Sequence, residues 1–102
     1  RDLLFVDRPD GGVAVLAAAT GETVAVIGSG ADGFLRGVMR GLARERRQHG
    51  FDAEQPFRLL RQSDGRLTLV DLATERRIEL ISFGPTNAKV FARFLPSWRE
   101  SS

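Results

Sequence analysis

Cysteine is absent from this 102-residue sequence, and histidine occurs once, as His49. Without thiols there is no disulfide framework and no thiolate metal site, so stability must come from the core, and the redox compartment stays open. A single histidine in a polar stretch is also a poor start for nucleophilic or metal chemistry. Ser29, flanked by glycines, has no histidine placed to serve it as a base, and Asp7 and Asp10 flank a turn without the dense oxygen ligands of a calcium loop. Lysine is nearly missing as well: Lys89 stands alone among 15 basic residues, so the sequence pI of about 10.4 mainly reflects arginine. The net charge is only +2, and no nucleic-acid partner is implied by so weak a field. No apolar run approaches the roughly 18 residues that cross a bilayer; the longest clean one covers residues 13–19. The sequence opens at Arg1 without an initiator methionine, and residues 3–6 already read as a strand. The expectation is that an upstream segment has been removed, with a membrane anchor as the candidate.

What is present fits one domain over residues 1–102, since 42% hydrophobic and 27% charged residues suit a single compact core. Two segments align without a gap when Asp10-Gly11 is laid on Asp64-Gly65, a shift of 54 positions. Val13 then falls on Leu67, Val15 on Leu69, Thr20 on Thr74, Val24 on Ile78, Val26 on Leu80 and Gly30 on Gly84. Asp-Gly between apolar runs is a hairpin signal, because tight turns need the positive φ that glycine adopts cheaply. Antiparallel strands are predicted near 3–7, 12–18 and 22–27, and again near 57–62, 66–71 and 75–81. The pairs Val13/Val15, Val24/Val26, Leu67/Leu69 and Ile78/Leu80 give each meander one apolar face. A helix follows each. Asp32 is a candidate N-cap for the first, whose Phe34, Leu35, Val38, Met39 and Leu42 form an apolar stripe. The second is expected to start at Pro85 with Thr86 and Asn87 as caps, to bury Val90, Phe91, Phe94 and Leu95, and to stop at Pro96. Residues 48–55 connect the copies, and the polar tail frays unless Trp98 docks. The fold class is therefore α+β, as two pseudo-symmetric βββα repeats over about 3–48 and 57–96.

Gly28, Gly30 and Gly33 have the G-x-G-x-x-G spacing of a dinucleotide loop, but an antiparallel meander lacks the parallel strand-helix-strand unit that loop needs. No cofactor is expected. Arg36, Arg40, Arg44 and Arg47 lie opposite the apolar stripe of the first helix, where charges are ordinary on any surface helix. Like charges four residues apart repel, however, and an anionic partner would relieve them. Arg46 falls toward the apolar sector, so it either marks a fraying end or reaches an internal carboxylate. Gly33, Gly37 and Gly41 recur every fourth residue, each costing about 1 kcal/mol of helix propensity. Close packing of that edge inside the fold is expected rather than an external groove, and no deep pocket with convergent polar groups is expected either.

The block GFLRGVMRGLARERR, with PFRLLRQSDGRLTLVDLATERRIELISFGPTNA following, resembles the photosynthetic complex assembly proteins of the PuhC type from purple phototrophic bacteria. Its most specific parts are residues 33–44, 56–59 and 83–88. One departure is Glu75, which stands where the Thr20-Gly21 turn would repeat and is expected to loosen one hairpin. The resemblance implies an N-terminal transmembrane helix, absent here, and a periplasmic domain that helps assemble or reorganise the reaction centre and its core light-harvesting ring. It implies no catalysis. The leading reading is a non-enzymatic, membrane-tethered assembly factor that meets those subunits or the membrane surface through Arg36, Arg40, Arg44 and Arg47, and through the turn Gly84, Pro85, Thr86 and Asn87. The alternative is a homodimer made through edge strands or the glycine-lined helix, and a lipid- or pigment-binding domain ranks below both.

Overall fold

The computed structural model describes residues 1–28, 33–51 and 54–95. Short runs with apolar residues at every second position form six strands: β1 (Asp2–Asp7), β2 (Val13–Ala17), β3 (Thr23–Ile27), β4 (Phe57–Arg61), β5 (Leu67–Asp71) and β6 (Arg77–Glu79). They make one antiparallel sheet of order β3-β2-β1-β4-β5-β6. Each consecutive trio therefore runs outward from a central β1–β4 pair. That seam is short, with Asp2 opposite Arg58 and Leu3 opposite Phe57. A forked ion pair between Arg58 and Asp2, at 2.7 and 3.1 Å, closes it on the outer face.

Helix α1 (Gly33–Gln48) follows β3, and a 3-10 turn (Leu80–Phe83) leads from β6 into helix α2 (Pro85–Ala92). Both helices cover the same side of the sheet, because Leu35 and Leu42 of α1 and Ala88 and Phe91 of α2 join Leu3, Val15, Leu59 and Leu69 in one buried cluster. Six of the seven phenylalanines form a continuous run of edge-to-face contacts through it, Phe57 to Phe5, Phe94, Phe91, Phe34 and Phe83, with centroids 5.2–6.1 Å apart. Each such contact adds about 0.5–1.5 kcal/mol beyond the area it buries. The opposite face has no helix over it among the described residues. There Val6 and Val26 are exposed beside half-buried Leu4 and Leu16, while Arg58, Val70 and Arg77 make a more charged row on the second half.

The turns behave as their residues require. Gly11 and Gly65 take φ of 88° and 91°, and the carboxylates of Asp10 and Asp64 accept the N–H of Gly12 and of Arg66 two residues on. Those backbone bonds, ahead of the neighbouring arginines, hold both carboxyls below the ordinary aspartate value of 3.8. In the next turns Gly21 and Glu75 both adopt positive φ, 77° and 67°, and each donates its N–H at 2.7 Å to Ala17 or Asp71. The hairpin expected to loosen at Glu75 is thus fully bonded. Its backbone instead holds a left-handed conformation that L residues enter at a cost of about 1–2 kcal/mol.

Other expectations need correction. Val26 faces outward because β3 bulges after Val15: Val15 pairs with Ala25 but Leu16 with Thr23, so one residue is extra and Ala25 and Ile27 take the inner side. Leu80 is buried, but in the 3-10 turn, since β6 ends at Glu79. The N-cap of α2 is Gly84, at φ 94°, with Pro85 at the first helical position, so neither Thr86 nor Asn87 caps it; the Asn87 amide donates to the Phe83 carbonyl at 3.0 Å. The expectations for Asp32, Pro96, Trp98 and the interior of the glycine loop lie outside the described residues. The architecture is a mixed fold of a six-stranded antiparallel sheet and two helices.

Candidate binding surface around helix α1

Arg46, near the C-terminal end of α1, separates from the other arginines of the helix because it points into the core. It is 3% exposed, and its Nε donates to both carboxylate oxygens of Asp71 at 2.9 and 3.0 Å, with Nη2 at 2.7 Å from Oδ1. Nη2 also donates to the Pro56 carbonyl, and the guanidinium lies 4.0 Å over the Phe57 ring. Asp71 is 1% exposed and accepts the Ala73 N–H as well. Of the two alternatives open for Arg46, the internal carboxylate is realised. A missed signal was available: Asp71 continues the inward alternation of Leu67 and Leu69, and a charge in an inward position demands a partner.

The remaining arginines of the helix are placed differently. Arg8, Arg58, Arg66 and Arg76 each meet a carboxylate, whereas Arg36, Arg40, Arg44 and Arg47 form no ion pair with any described residue. At 100° per residue these four occupy an arc of about 80° on α1, so the row carries uncompensated positive charge. Arg40, Arg44 and Arg47 are exposed, as a solvated face requires. Arg36 is not. It is half-buried, and its Nη1 has no solvent contact and no acceptor among the described residues. Leaving a buried donor unmatched costs about 1–3 kcal/mol, more for a charged group.

Arg36 also lines a cavity of about 520 Å³ between α1 and the sheet, where no such pocket was expected. Phe5, Val13, Leu35, Met39, Phe51 and Phe57 give it apolar walls, and Arg36, Arg40, Arg47 and Asp7 supply its polar groups. Sequence reasoning missed it because its walls come from three separate stretches of chain, which no local pattern links.

The glycine edge also departs from expectation. A Cβ built on Gly33, Gly37 or Gly41 meets no described residue within 4 Å, so close packing against the described part of the fold is not what these glycines serve. They line a shallow open groove with Phe34, Val38 and Phe83. Gly84, Pro85, Thr86 and Asn87 sit at the foot of α2, with Pro85 and Thr86 exposed. Beside them Ile81, which the predicted strand included, and Phe83, which lay beyond it, are large exposed apolar residues of the 3-10 turn.

Among the described residues no group of three His, Cys, Asp or Glu could hold a metal ion, and no helix is long and apolar enough to cross a membrane. No curated protein and no solved structure matches the chain. The family described as photosynthetic complex reorganisation protein PuhC matches over residues 1–100, and the chain belongs to that family, whose role is the reorganisation and assembly of photosynthetic complexes.

Proposed function

We propose that the chain is the periplasmic part of a membrane-tethered, non-catalytic assembly factor that binds the reaction centre and core light-harvesting subunits, or the membrane surface beside them, through the arginine row of α1. The family supplies the process. The observation that carries the surface is that Arg36, Arg40, Arg44 and Arg47 form no ion pair with any described residue, while Arg8, Arg58, Arg66 and Arg76 do. An acidic partner relieves the repulsion along the row and steers encounter in a salt-dependent way. The test is Arg40→Glu with Arg44→Glu in the membrane-anchored protein, expressed in a strain lacking the native copy. Core-complex yield should fall at unchanged abundance of the variant, because exposed substitutions cost the fold only about ±0.5 kcal/mol each. Normal yield at normal abundance would reduce the row to a solvated face.

A second reading is favoured by the open groove along Gly33, Gly37 and Gly41 beside exposed Phe83. A second copy of the chain could seat there as a homodimer, and sedimentation across a concentration series separates the readings. The fold reading that accompanies both is a duplicated βββα unit related by a pseudo-twofold axis between β1 and β4. Its support is the recurrence of turn bonds at the 54-residue shift, such as Arg8 N–H to Gly12 O at 2.8 Å and Gln62 N–H to Arg66 O at 2.7 Å. The short β6, the 3-10 turn and the eight-residue α2 are departures from that unit.

A further inference from the structure

We infer that the cavity along α1 binds a single-chain amphiphile with one anionic head, a carboxylate or a phosphate monoester. Three features point to this occupant together. The walls formed by Phe5, Val13, Leu35, Met39, Phe51 and Phe57 suit a hydrocarbon tail and offer it no hydrogen bonds from their side chains. The volume of about 520 Å³, at ~30 Å³ per methylene-sized group, holds one acyl chain of ordinary length and not the paired chains of a bilayer lipid. The polar groups are three guanidinium groups, those of Arg36, Arg40 and Arg47, against the single carboxylate of Asp7. Arg46 also borders the space, but its charge is matched by Asp71.

Arg36 is the residue that makes this a site for an anion and not just an apolar gap. Arg36 lines the cavity, forms no ion pair with any described residue, and its Nη1 has no acceptor among them, so a head-group anion at Arg36 meets a guanidinium that is not already matched. Arg40 and Arg47 line the same cavity and are exposed. Arg44, in the same row, does not line the cavity, which makes it an internal control. The inference does not depend on the assembly role: a chain that binds no photosynthetic subunit would still take the amphiphile, and the reverse also holds.

Met39 lines the cavity and is the one methionine of the sequence, so a ¹³C-methyl-methionine label reports on this space. Dodecanoate, dodecyl phosphate, dodecanol and inorganic phosphate are titrated in turn, each below any micelle-forming concentration. The two anionic amphiphiles should shift the Met39 methyl saturably. Dodecanol, with a tail but no charge, and inorganic phosphate, with charge but no tail, should bind at least about tenfold more weakly. Arg36→Gln should weaken dodecanoate at least about tenfold, Arg44→Gln less than about twofold, and Ala43→Leu, which fills the space without changing charge, should abolish the shift. Absence of a saturable shift with either anion overturns the inference. So does dodecanol binding as tightly as dodecanoate, or equal losses in Arg36→Gln and Arg44→Gln, which would mean adsorption to the charged row. If one cavity variant does not fold, the other decides.

Discussion

Replacing Asp71 by alanine is the change expected to damage this fold most for its size. The carboxylate removed is the acceptor of Arg46 contacts at 2.9, 3.0 and 2.7 Å, between side chains 4% and 0% exposed. An arginine left buried without its carboxylate costs about 3–5 kcal/mol, because desolvation of the cation is no longer offset by a nearby anion. Loss of the Asp71 bond to the Ala73 N–H adds about 0.5–1.5 kcal/mol. A chain of 102 residues has about 5–15 kcal/mol of stability in all, so this one change consumes a large part of it. At about 4–8 °C per kcal/mol for a domain of this size, Tm should fall by at least about 12 °C. Urea unfolding followed by far-UV circular dichroism gives the energy directly, and the pair Arg46→Met with Asp71→Leu supplies the control. Substituting well-packed apolar residues for a whole buried pair is neutral or even stabilising by about 1–4 kcal/mol, so the double variant should recover most of the loss. A single-variant cost under about 1 kcal/mol, or a double variant as unstable as the sum of the two singles, would refute the claim that burial of the unmatched charge sets the penalty.

Gly37→Ala and Gly41→Ala should each raise stability by about 0.5–1 kcal/mol, since both positions face open space and neither needs positive φ; a fall in the urea midpoint would show that the edge is packed after all. Glu75→Gly should stabilise by about 1 kcal/mol because its φ of 67° is costly for any residue with a Cβ, and an unchanged or lowered midpoint would refute that strain. The carboxyls of Asp2, Asp10 and Asp64 lie below their ordinary value of 3.8, Asp2 chiefly through its side-chain bond to Arg58 and the other two chiefly through the turn N–H groups. Their contribution is therefore complete above that value and lost as pH falls through the lowered folded values. Unfolding free energy should hold level from about pH 7 to about pH 5 with respect to these groups and then decline, with Asp10→Asn plus Asp64→Asn reducing the acid slope; a slope unchanged in that double variant would refute the assignment.

The sequence was most legible where a residue's own geometry decides. Asp-Gly and Thr-Gly marked turns because positive φ is a local requirement, and the stripe of Phe34, Leu35, Val38, Met39 and Leu42 marked α1 because helical period is local too. Legibility failed where the decision belongs to the neighbours. The bulge that turns Val26 outward depends on how β3 registers against β2, and the 3-10 turn that removes Leu80 from β6 depends on the approach to Gly84 and Pro85. Among the candidate site residues, Arg40, Arg44 and Arg47 lie where the wheel places them. Arg36 belongs to the same row by sequence, and the helical wheel does not distinguish it as half-buried with a solvent-shielded Nη1. The carboxylate for Arg46 was one of two open alternatives, and only the sheet, by placing Asp71 on the inner face, chooses between them.

Helix α1 is where stability and binding compete, and the competition is itself informative. Its three glycines cost about 1 kcal/mol each, its arginine neighbours four apart repel by about 0.2–0.5 kcal/mol per pair, and the buried donor of Arg36 is unmatched among the described residues. None of these features helps the helix form. What holds it is the buried side of the same helix, Leu35 and Leu42 in the core and Arg46 on Asp71. A surface that opposes local stability while the opposite face supplies it is the pattern expected where external contacts are made. The two effects separate by sign: at a position that serves only the fold, a change that raises the urea midpoint leaves complex assembly intact or improves it. At a contact position, the same rise in midpoint accompanies a loss of assembly. Gly37→Ala and Gly41→Ala probe the glycine-lined groove and Arg36→Gln the cavity, so ranking them by assembly lost against stability gained locates which side of α1 meets the partner.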